Sequence, residues 1–282
     1  MDKSSLLDTM MQDVKECALC CKVGQGIKSE KLLRNFIAER PHGPLYGGVP
    51  SMWTDWASRL EAKIVVVGKD WGTWNGPRGV NKHRQTYEER VRASGDDKDL
   101  AIWRKMIRKY GWEDNSSRNV IEFFMGSARF EGVELPEDFM GGVYVTNPVL
   151  CARANGTAFS GSNNFDAVRS VNNCCDDKKF LKRQLEIVKP VIVVALGEVA
   201  LRGLGLFEGS LHNTIESLHA SDKFYISKNY YGLPLNVVPV YHPAARPRDR
   251  TCLEQMQDYW FIWKALSDII GIPIQSVIPL AF

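Results

Sequence analysis

VIVVALG, residues 191–197, is an apolar run without polar alternation that ends at a glycine. Three further runs share its character: KIVVVG at 63–68, VYVTN at 143–147 and LNVVPV at 235–240. Continuous β-branched residues are typical of strands that are buried on both faces, as in a parallel sheet covered by helices. The four runs therefore predict a central four-stranded parallel sheet.

The segments around these runs have helical spacing. Apolar residues recur every three or four positions, with charged residues between them, over 98–110, 177–188 and 253–270. Residues 3–38 show the same spacing on either side of a cysteine-rich turn. Helices that alternate with parallel strands predict a doubly wound, three-layer α/β/α fold.

The composition is that of an ordinary soluble protein. The 282 residues are 44% hydrophobic and 24% charged, which is enough for one sizeable core. We expect one domain over 1–282, with residues 1–60 as an amino-terminal helical extension. No apolar run reaches the roughly 20 residues of a membrane span, and the first residues lack a signal-peptide core. We therefore expect a monomer, without membrane contact, in the cytoplasm or associated with the nucleoid.

Polar residues follow each predicted strand, where an open parallel sheet binds its ligands. They form four short groups: Gly68-Lys69-Asp70-Trp71-Gly72, Asn147-Pro148, Gly197-Glu198 and Tyr241-His242-Pro243. One carboxylate, one amide and one imidazole should therefore meet in a single crevice. Each residue alone has an ordinary explanation as a turn or a helix cap. Their joint placement after successive strands favours a site.

These side chains suit cleavage of a bond between a sugar and a base. The reaction passes through a cationic sugar and an anionic leaving base. Asp70 could orient the attacking water and offset the sugar charge. His242 could donate a hydrogen bond to the leaving base, a contact worth about 3 to 4 kcal/mol. Asn147 offers the acceptor and donors that complement the N3–H and O4 edge of uracil.

Other residues suit a nucleic-acid substrate. Trp71 or Trp74 could stack on an extruded base, as base-flipping enzymes require. Arg246 and Arg248 could hold phosphates or fill the gap that the extruded base leaves in the duplex. The net charge of +3 does not by itself indicate a nucleic-acid partner, and buried tryptophans are common in cores.

Seven cysteines form uneven groups along the chain: Cys17, Cys20, Cys21, Cys151, Cys174, Cys175 and Cys252. Without a secretory signal, such groups indicate metal ligands more than disulfides. Four thiolates suit either a [4Fe–4S] cluster or tetrahedral zinc, and the residues alone leave both open. Some of these cysteines, Cys252 above all, could instead be buried free thiols.

Four segments resemble, in chain order, the uracil-DNA glycosylase superfamily, and most closely its iron–sulfur branch, family four. They are IVVVGKDWG at 64–72, VYVTNPVLCAR at 143–153, CCDDKKFLKRQLEIVKPVIVVALG at 174–197 and VVPVYHPAARPR at 237–248. The resemblance implies that Asn147 recognises the base and that His242 stabilises the leaving uracil. It further implies that the loop formed by Gly68, Lys69, Asp70, Trp71 and Gly72 positions the water and the sugar.

The same resemblance implies a [4Fe–4S] cluster held by Cys17, Cys20, Cys151 and Cys175, with Cys174 as the alternative fourth ligand. The implied partner is DNA that contains uracil or a related deaminated base. The implied reaction is hydrolysis of the N-glycosidic bond, which initiates base excision repair.

The first motif departs from the branch pattern. Lys69, Asp70 and Trp71 stand where the iron–sulfur branch has Glu-Ala-Pro, and Asp70 falls where other uracil-DNA glycosylases have their water-activating aspartate. No Pro-Phe follows to supply the stacking ring, so Trp71, Trp74 and Tyr87 are all candidates. Two alternatives remain open at this stage: a catalytically weak member that binds damaged DNA, and an unrelated zinc-dependent α/β hydrolase.

Overall fold

The structure is a computed structural model, and it describes residues 2–17, 59–68, 115–135, 139–148, 150, 171–242 and 252–280. The helix predicted over 98–110 and the second half of the one predicted over 3–38 lie outside these ranges. No helix in the described ranges has both the length and the apolar character of a membrane span.

In this part of the chain the central sheet has five strands, in the order β2-β1-β3-β5-β4. Their bounds are β1 (Ile64–Val67), β2 (Val143–Thr146), β3 (Ile192–Leu196), β4 (Ile226–Tyr230) and β5 (Leu233–Val240). The first three and β5 pair in parallel and correspond to the four predicted strands. The predicted parallel arrangement of these four is confirmed.

The prediction of only four strands was wrong, because β4 pairs with β5 in antiparallel fashion at the sheet edge. Its sequence, ISKNY, alternates between partly buried and exposed residues. The prediction missed it because it was based on unbroken apolar runs. Tyr231 and Gly232 connect the two strands with φ angles of 50° and 87°. Two successive positive φ values are typical of a tight hairpin turn that matches the twist of the strands.

Helices flank the sheet. They are α1 (Lys3–Glu16), α2 (Asn115–Arg129), α3 (Phe180–Val188), α4 (Glu198–Gly203), α5 (Leu211–Ala220), α6 (Cys252–Ile270) and α7 (Ile274–Leu280). A 3-10 turn, Phe139–Gly142, precedes β2, and a π-helical turn, Asn173–Asp177, precedes α3. The predictions over 177–188 and 253–270 thus correspond to α3 and α6, and α1 confirms the start of the one over 3–38.

The two faces of the sheet pack into separate hydrophobic clusters. On one face, β-strand residues such as Val65 and Val193 pack with α1, α3 and α4. On the other, residues such as Val66 and Val194 pack with α2, α6 and α7. Alternate residues of one strand therefore belong to different clusters, as the period of two of a strand requires. This confirms the three-layer α/β/α architecture.

The amino-terminal helix is tied to the layer that contains α3. The ammonium group of Lys3 donates to the carbonyl oxygens of Leu60 at 2.8 Å and of Val188 at 3.3 Å. Arg183 of α3 forms an ion pair with Asp13 at 2.6 Å. The exposed ion pair adds little stability by itself. Most of the attachment of α1 comes from its buried apolar face.

Candidate functional site

The carboxyl ends of the parallel strands bring the predicted site residues to one edge. Gly68 follows β1, Asn147 follows β2, and His242 lies just beyond β5. The Gly68 N–H donates to the Thr146 carbonyl at 2.7 Å, and the Gly197 N–H donates to the Val240 carbonyl at 2.8 Å. Neighbouring backbones therefore stay in register up to this edge. Asn147 and His242 flank the ends of β1 and β3, which lie between them in the sheet.

Asn147 has a buried polar side chain at this edge of the sheet. Its side chain is 1% exposed, and neither the amide oxygen nor the amide nitrogen has a hydrogen-bond partner among the described residues. Each such buried group costs about 1 to 3 kcal/mol when it stays unsatisfied. An amide that a fold buries and leaves unpaired is suited to pairing with a ligand.

Gln184 of α3 holds the strand that leads to Asn147. The Thr146 hydroxyl donates to its Oε1 at 2.6 Å, and the Tyr144 hydroxyl donates to the same atom at 3.0 Å. The Gln184 Nε2 donates to the Phe180 carbonyl at 3.3 Å. Burial raises the pKa of Tyr144 well above its ordinary value, so that its hydroxyl stays protonated and remains a donor.

Sequence reasoning missed Gln184. The available signal was its place on the apolar face of α3, where its buried neighbours include Phe180, Leu181 and Leu185. A glutamine on such a face requires buried partners. The sequence does not show that those partners are the hydroxyls of β2.

The residue after Asn147 is packed closely from the opposite side. The Cys175 thiol donates to the Pro148 carbonyl at 3.5 Å. A Cβ atom at Gly203, the last residue of α4, would lie 2.5 Å from the Cβ of Pro148 and 3.4 Å from the Sγ of Cys175. The Tyr230 hydroxyl donates to the Gly203 carbonyl at 2.8 Å. Only glycine fits at position 203 without moving the segment that carries Asn147.

His242 is half-buried, and its backbone lies against Gly197. Gly197 has a φ of 82°, a conformation that residues with a side chain rarely adopt. Tyr241, the residue before His242, is fixed by a 2.8 Å hydrogen bond between its hydroxyl and the Nδ1 of His212 in α5. Neighbours on β3 and α5 therefore set the direction in which the chain leaves β5.

Three of the predicted cluster cysteines are described. Cys174 and Cys175 are buried in the hydrophobic cluster that includes α1 and α3, and Cys17 packs against that cluster at the end of α1. Burial, aided by the nearby Asp176 carboxylate, raises the pKa of Cys175 to about 12. Cys20 and Cys151 lie outside the described residues. Within those residues, no three His, Cys, Asp or Glu side chains are grouped to hold a metal.

Several predicted site residues fall in the same undescribed stretches, and their roles stay predictions. They are Lys69, Asp70, Trp71, Gly72, Trp74, Tyr87, Arg246 and Arg248.

Comparison with known proteins identifies the family. The family model described as the uracil DNA glycosylase superfamily matches residues 57–269, a range that includes β1 to β5 and both hydrophobic faces of the sheet. A search of curated proteins found no significant match. The family match covers most of the chain, and it supports a glycosylase-type role with a DNA substrate. The chain therefore belongs to the uracil DNA glycosylase superfamily.

Proposed function

We propose that the protein removes uracil, or a related deaminated base, from DNA by hydrolysing the N-glycosidic bond, and so initiates base excision repair. The observation that carries this proposal is the buried amide of Asn147 at the carboxyl end of β2, which has no hydrogen-bond partner among the described residues. Its oxygen can accept from the N3–H of uracil while its nitrogen donates to O4. Cytosine offers the reverse pattern of donor and acceptor at this edge, so an amide held in this one orientation would reject it.

His242 and Asp70 would act on the two charges of the transition state. His242, at the far side of the crevice, donates a hydrogen bond to the base oxygen that becomes negative as the bond breaks. Asp70 orients the attacking water and offsets the positive charge on the sugar. The two groups stabilise charges that exist only in the transition state, and this is the condition for accelerating the chemical step.

The remaining loops would present the nucleotide. Gly68, Lys69, Trp71 and Gly72 surround the sugar and base, and Arg246 and Arg248 hold phosphates after the chain leaves β5. A base must leave the stack to reach a site at the end of a sheet, and an aromatic ring then takes the place of its neighbours. Trp71, Trp74 and Tyr87 are the candidates for that ring.

The test is release of uracil from single-stranded and double-stranded oligonucleotides. Asn147→Asp replaces the amide donor with a carboxylate that repels O4, and we expect release to fall by about 100-fold, as for other lost transition-state contacts. Asn213→Asp makes the same change on an exposed residue of α5 and should leave release unchanged. Asp70→Asn and His242→Ala should each reduce release as well.

The opposite outcomes are equally informative. Release that is equal in Asn147→Asp and Asn213→Asp would remove Asn147 from the site. No release by the unaltered protein, with retained binding to uracil-containing DNA, would favour the catalytically weak DNA-binding alternative. The superfamily match argues against the other alternative, an unrelated zinc-dependent hydrolase.

We further propose that Cys17, Cys20, Cys151 and Cys175 hold a [4Fe–4S] cluster, as in the iron–sulfur branch. The Sγ of Cys175 lies against the carbonyl of Pro148, only three residues before Cys151, a separation that extended chain covers in about 10 Å. Cys17 packs against the hydrophobic core on the α1 and α3 side of the sheet, to which Cys175 also belongs. These two contacts support the proposal of a shared four-thiolate site, with Cys174 as the alternative ligand.

When bound, the cluster would supply a covalent tie between the end of α1, the segment after β2 and the turn before α3. Iron and sulfide in the purified, brown protein would support it, and zinc without iron would support the tetrahedral alternative.

We also propose that the protein is a monomer located in the cytoplasm and associated with the nucleoid. A single species at monomer mass in size-exclusion chromatography would support the monomer, and imaging of the tagged protein tests the location.

A further inference from the structure

The side chain of Asn147 has no described hydrogen-bond partner, so its position depends on the backbone that carries it. That backbone belongs to β2, an edge strand of the described sheet that pairs with β1 alone. A strand with one neighbour is held less firmly than a central strand. Some other contact must fix the end of β2 if the amide is to stay in one place.

Gln184 supplies that contact. It is fully buried, and its Oε1 accepts hydrogen bonds from two β2 hydroxyls, that of Thr146 at 2.6 Å and that of Tyr144 at 3.0 Å. A carbonyl oxygen has two lone pairs, so both are used. The Nε2 of Gln184 donates to the Phe180 carbonyl within α3. One end of the Gln184 amide is therefore bonded to α3, and the other end is bonded to β2.

We propose that Gln184 is a positioning residue for base recognition, which fixes Asn147 by anchoring Thr146, the residue directly before it, to α3. The proposal rests on the assignment of base recognition to Asn147. It assigns a role in base recognition to a fully buried side chain of α3. A small displacement of a positioned group, about 1 Å, is enough to reduce a rate by about 100-fold.

Three substitutions separate positioning from simple stabilisation. Thr146→Val keeps the shape and removes the hydroxyl, whereas Thr146→Ser keeps the hydroxyl. Ser127→Ala is the control on the opposite face of the sheet. It removes two buried hydrogen bonds, each 2.9 Å long: the one that Trp263 donates to the Ser127 hydroxyl and the one that this hydroxyl donates to the Phe124 carbonyl. Both Thr146→Val and Ser127→Ala should lower the unfolding midpoint.

The readout is single-turnover uracil release together with the midpoint of thermal unfolding. We expect Thr146→Val to reduce the rate of uracil release by about 10- to 100-fold with little change in DNA affinity. The reason is that a misplaced Asn147 amide no longer holds the base in the orientation that reacts. Thr146→Ser should stay within about threefold of the unaltered protein, since its hydroxyl still reaches Gln184. Ser127→Ala should keep its release rate. Equal rates in Thr146→Val and Ser127→Ala, at equal loss of stability, would overturn the proposal.

A second readout does not depend on activity. In protein labelled with 15N at asparagine, the side-chain amide signals of Asn147 should shift or broaden in Thr146→Val and stay unchanged in Ser127→Ala. If the unaltered protein releases no base, the proposed function fails, and these signals still decide whether Thr146 and Gln184 fix the amide. Unchanged Asn147 signals in Thr146→Val would overturn the positioning role.

Discussion

A Cβ atom at Gly197 would lie 3.3 Å from the Cβ of His242, closer than most such contacts. Gly197 also has a φ of 82°, so that alanine there would be strained and would press on the backbone of His242. The Gly197 ψ of −176° completes a conformation that is almost restricted to glycine, so we expect Gly197→Ala to lose about 1 to 3 kcal/mol of stability from the backbone conformation alone. It should also lose most uracil release, because His242 is displaced.

Gly271→Ala separates these two effects. Gly271 has a φ of 76°, but a Cβ there would meet no atom of the described residues within 4 Å. We expect this variant also to lose stability, but with normal release. Equal release in the two variants, measured on uracil-containing oligonucleotides, would show that the contact with His242 has no role in catalysis.

Gly203→Ala should act at the Asn147 end of the same edge of the sheet. Alanine in a helix is ordinarily favoured over glycine by about 1 kcal/mol. Here its Cβ would lie 2.5 Å from the Cβ of Pro148, and the strain of overpacking, about 1 to 3 kcal/mol, exceeds that gain. We expect lower stability in urea unfolding, together with reduced uracil release because the Asn147 segment moves. An increase in stability would show that Pro148 can move away without cost.

Cys174→Ser and Cys175→Ser test which neighbouring thiol serves the metal site. The Sγ of Cys175 contacts the carbonyl of Pro148, which precedes Cys151 by three residues in the sequence. We expect iron content to fall sharply in Cys175→Ser and to be retained in Cys174→Ser, as measured by metal analysis of protein purified without oxygen. The reverse result would make Cys174 the fourth ligand.

Tyr259→Phe tests a buried hydroxyl in the core. The Tyr259 side chain is fully buried, and its hydroxyl has no hydrogen-bond partner in the described part of the chain. Removing an unsatisfied hydroxyl from a well-packed ring should leave stability at neutral pH unchanged or raise it by about 1 kcal/mol. Urea unfolding at pH 7 measures the difference, and a clear loss of stability would reveal a hydroxyl partner.

The same variant should differ from the unaltered protein at alkaline pH. Burial, with a smaller effect of Asp258, raises the pKa of Tyr259 well above that of an unfolded tyrosine. Its contribution to stability is therefore complete below the unfolded pKa of about 10 and is lost as the pH rises beyond it. Each such tyrosine lowers the free energy of unfolding by about 1.4 kcal/mol per pH unit in that range. The free energy of unfolding of Tyr259→Phe should therefore fall less steeply with pH above about 10 than that of the unaltered protein. Equal slopes in the two proteins would contradict a raised pKa at Tyr259.

The sequence predicted the features that depend on local pattern. β1, β2 and β3 are buried throughout and β5 is buried over its last four residues, and the residue after each strand falls at one edge of a parallel sheet. That reasoning was sufficient to place Asn147 and His242 at the same edge. It missed β4, because an edge strand with one exposed face lacks the pattern of a buried strand.

Features that depend on distant contacts could not be predicted in this way. Gln184 and Thr146 are 38 positions apart, and their hydrogen bond depends on how α3 crosses β2. Gly203 and Pro148 meet only because α4 folds back over the same face of the sheet. No spacing along the chain records either contact.

The two faces of the sheet should therefore differ in what their mutations do. The contacts that fix the neighbours of Asn147 come from Gln184, Cys175 and Gly203, all on the side of α3 and α4. The side of α2, α6 and α7 carries most of the large aromatic residues of the core. A library of random variants, sorted for altered base preference, should collect its hits on the first side, while hits on the second side should change only how much folded protein the cell retains.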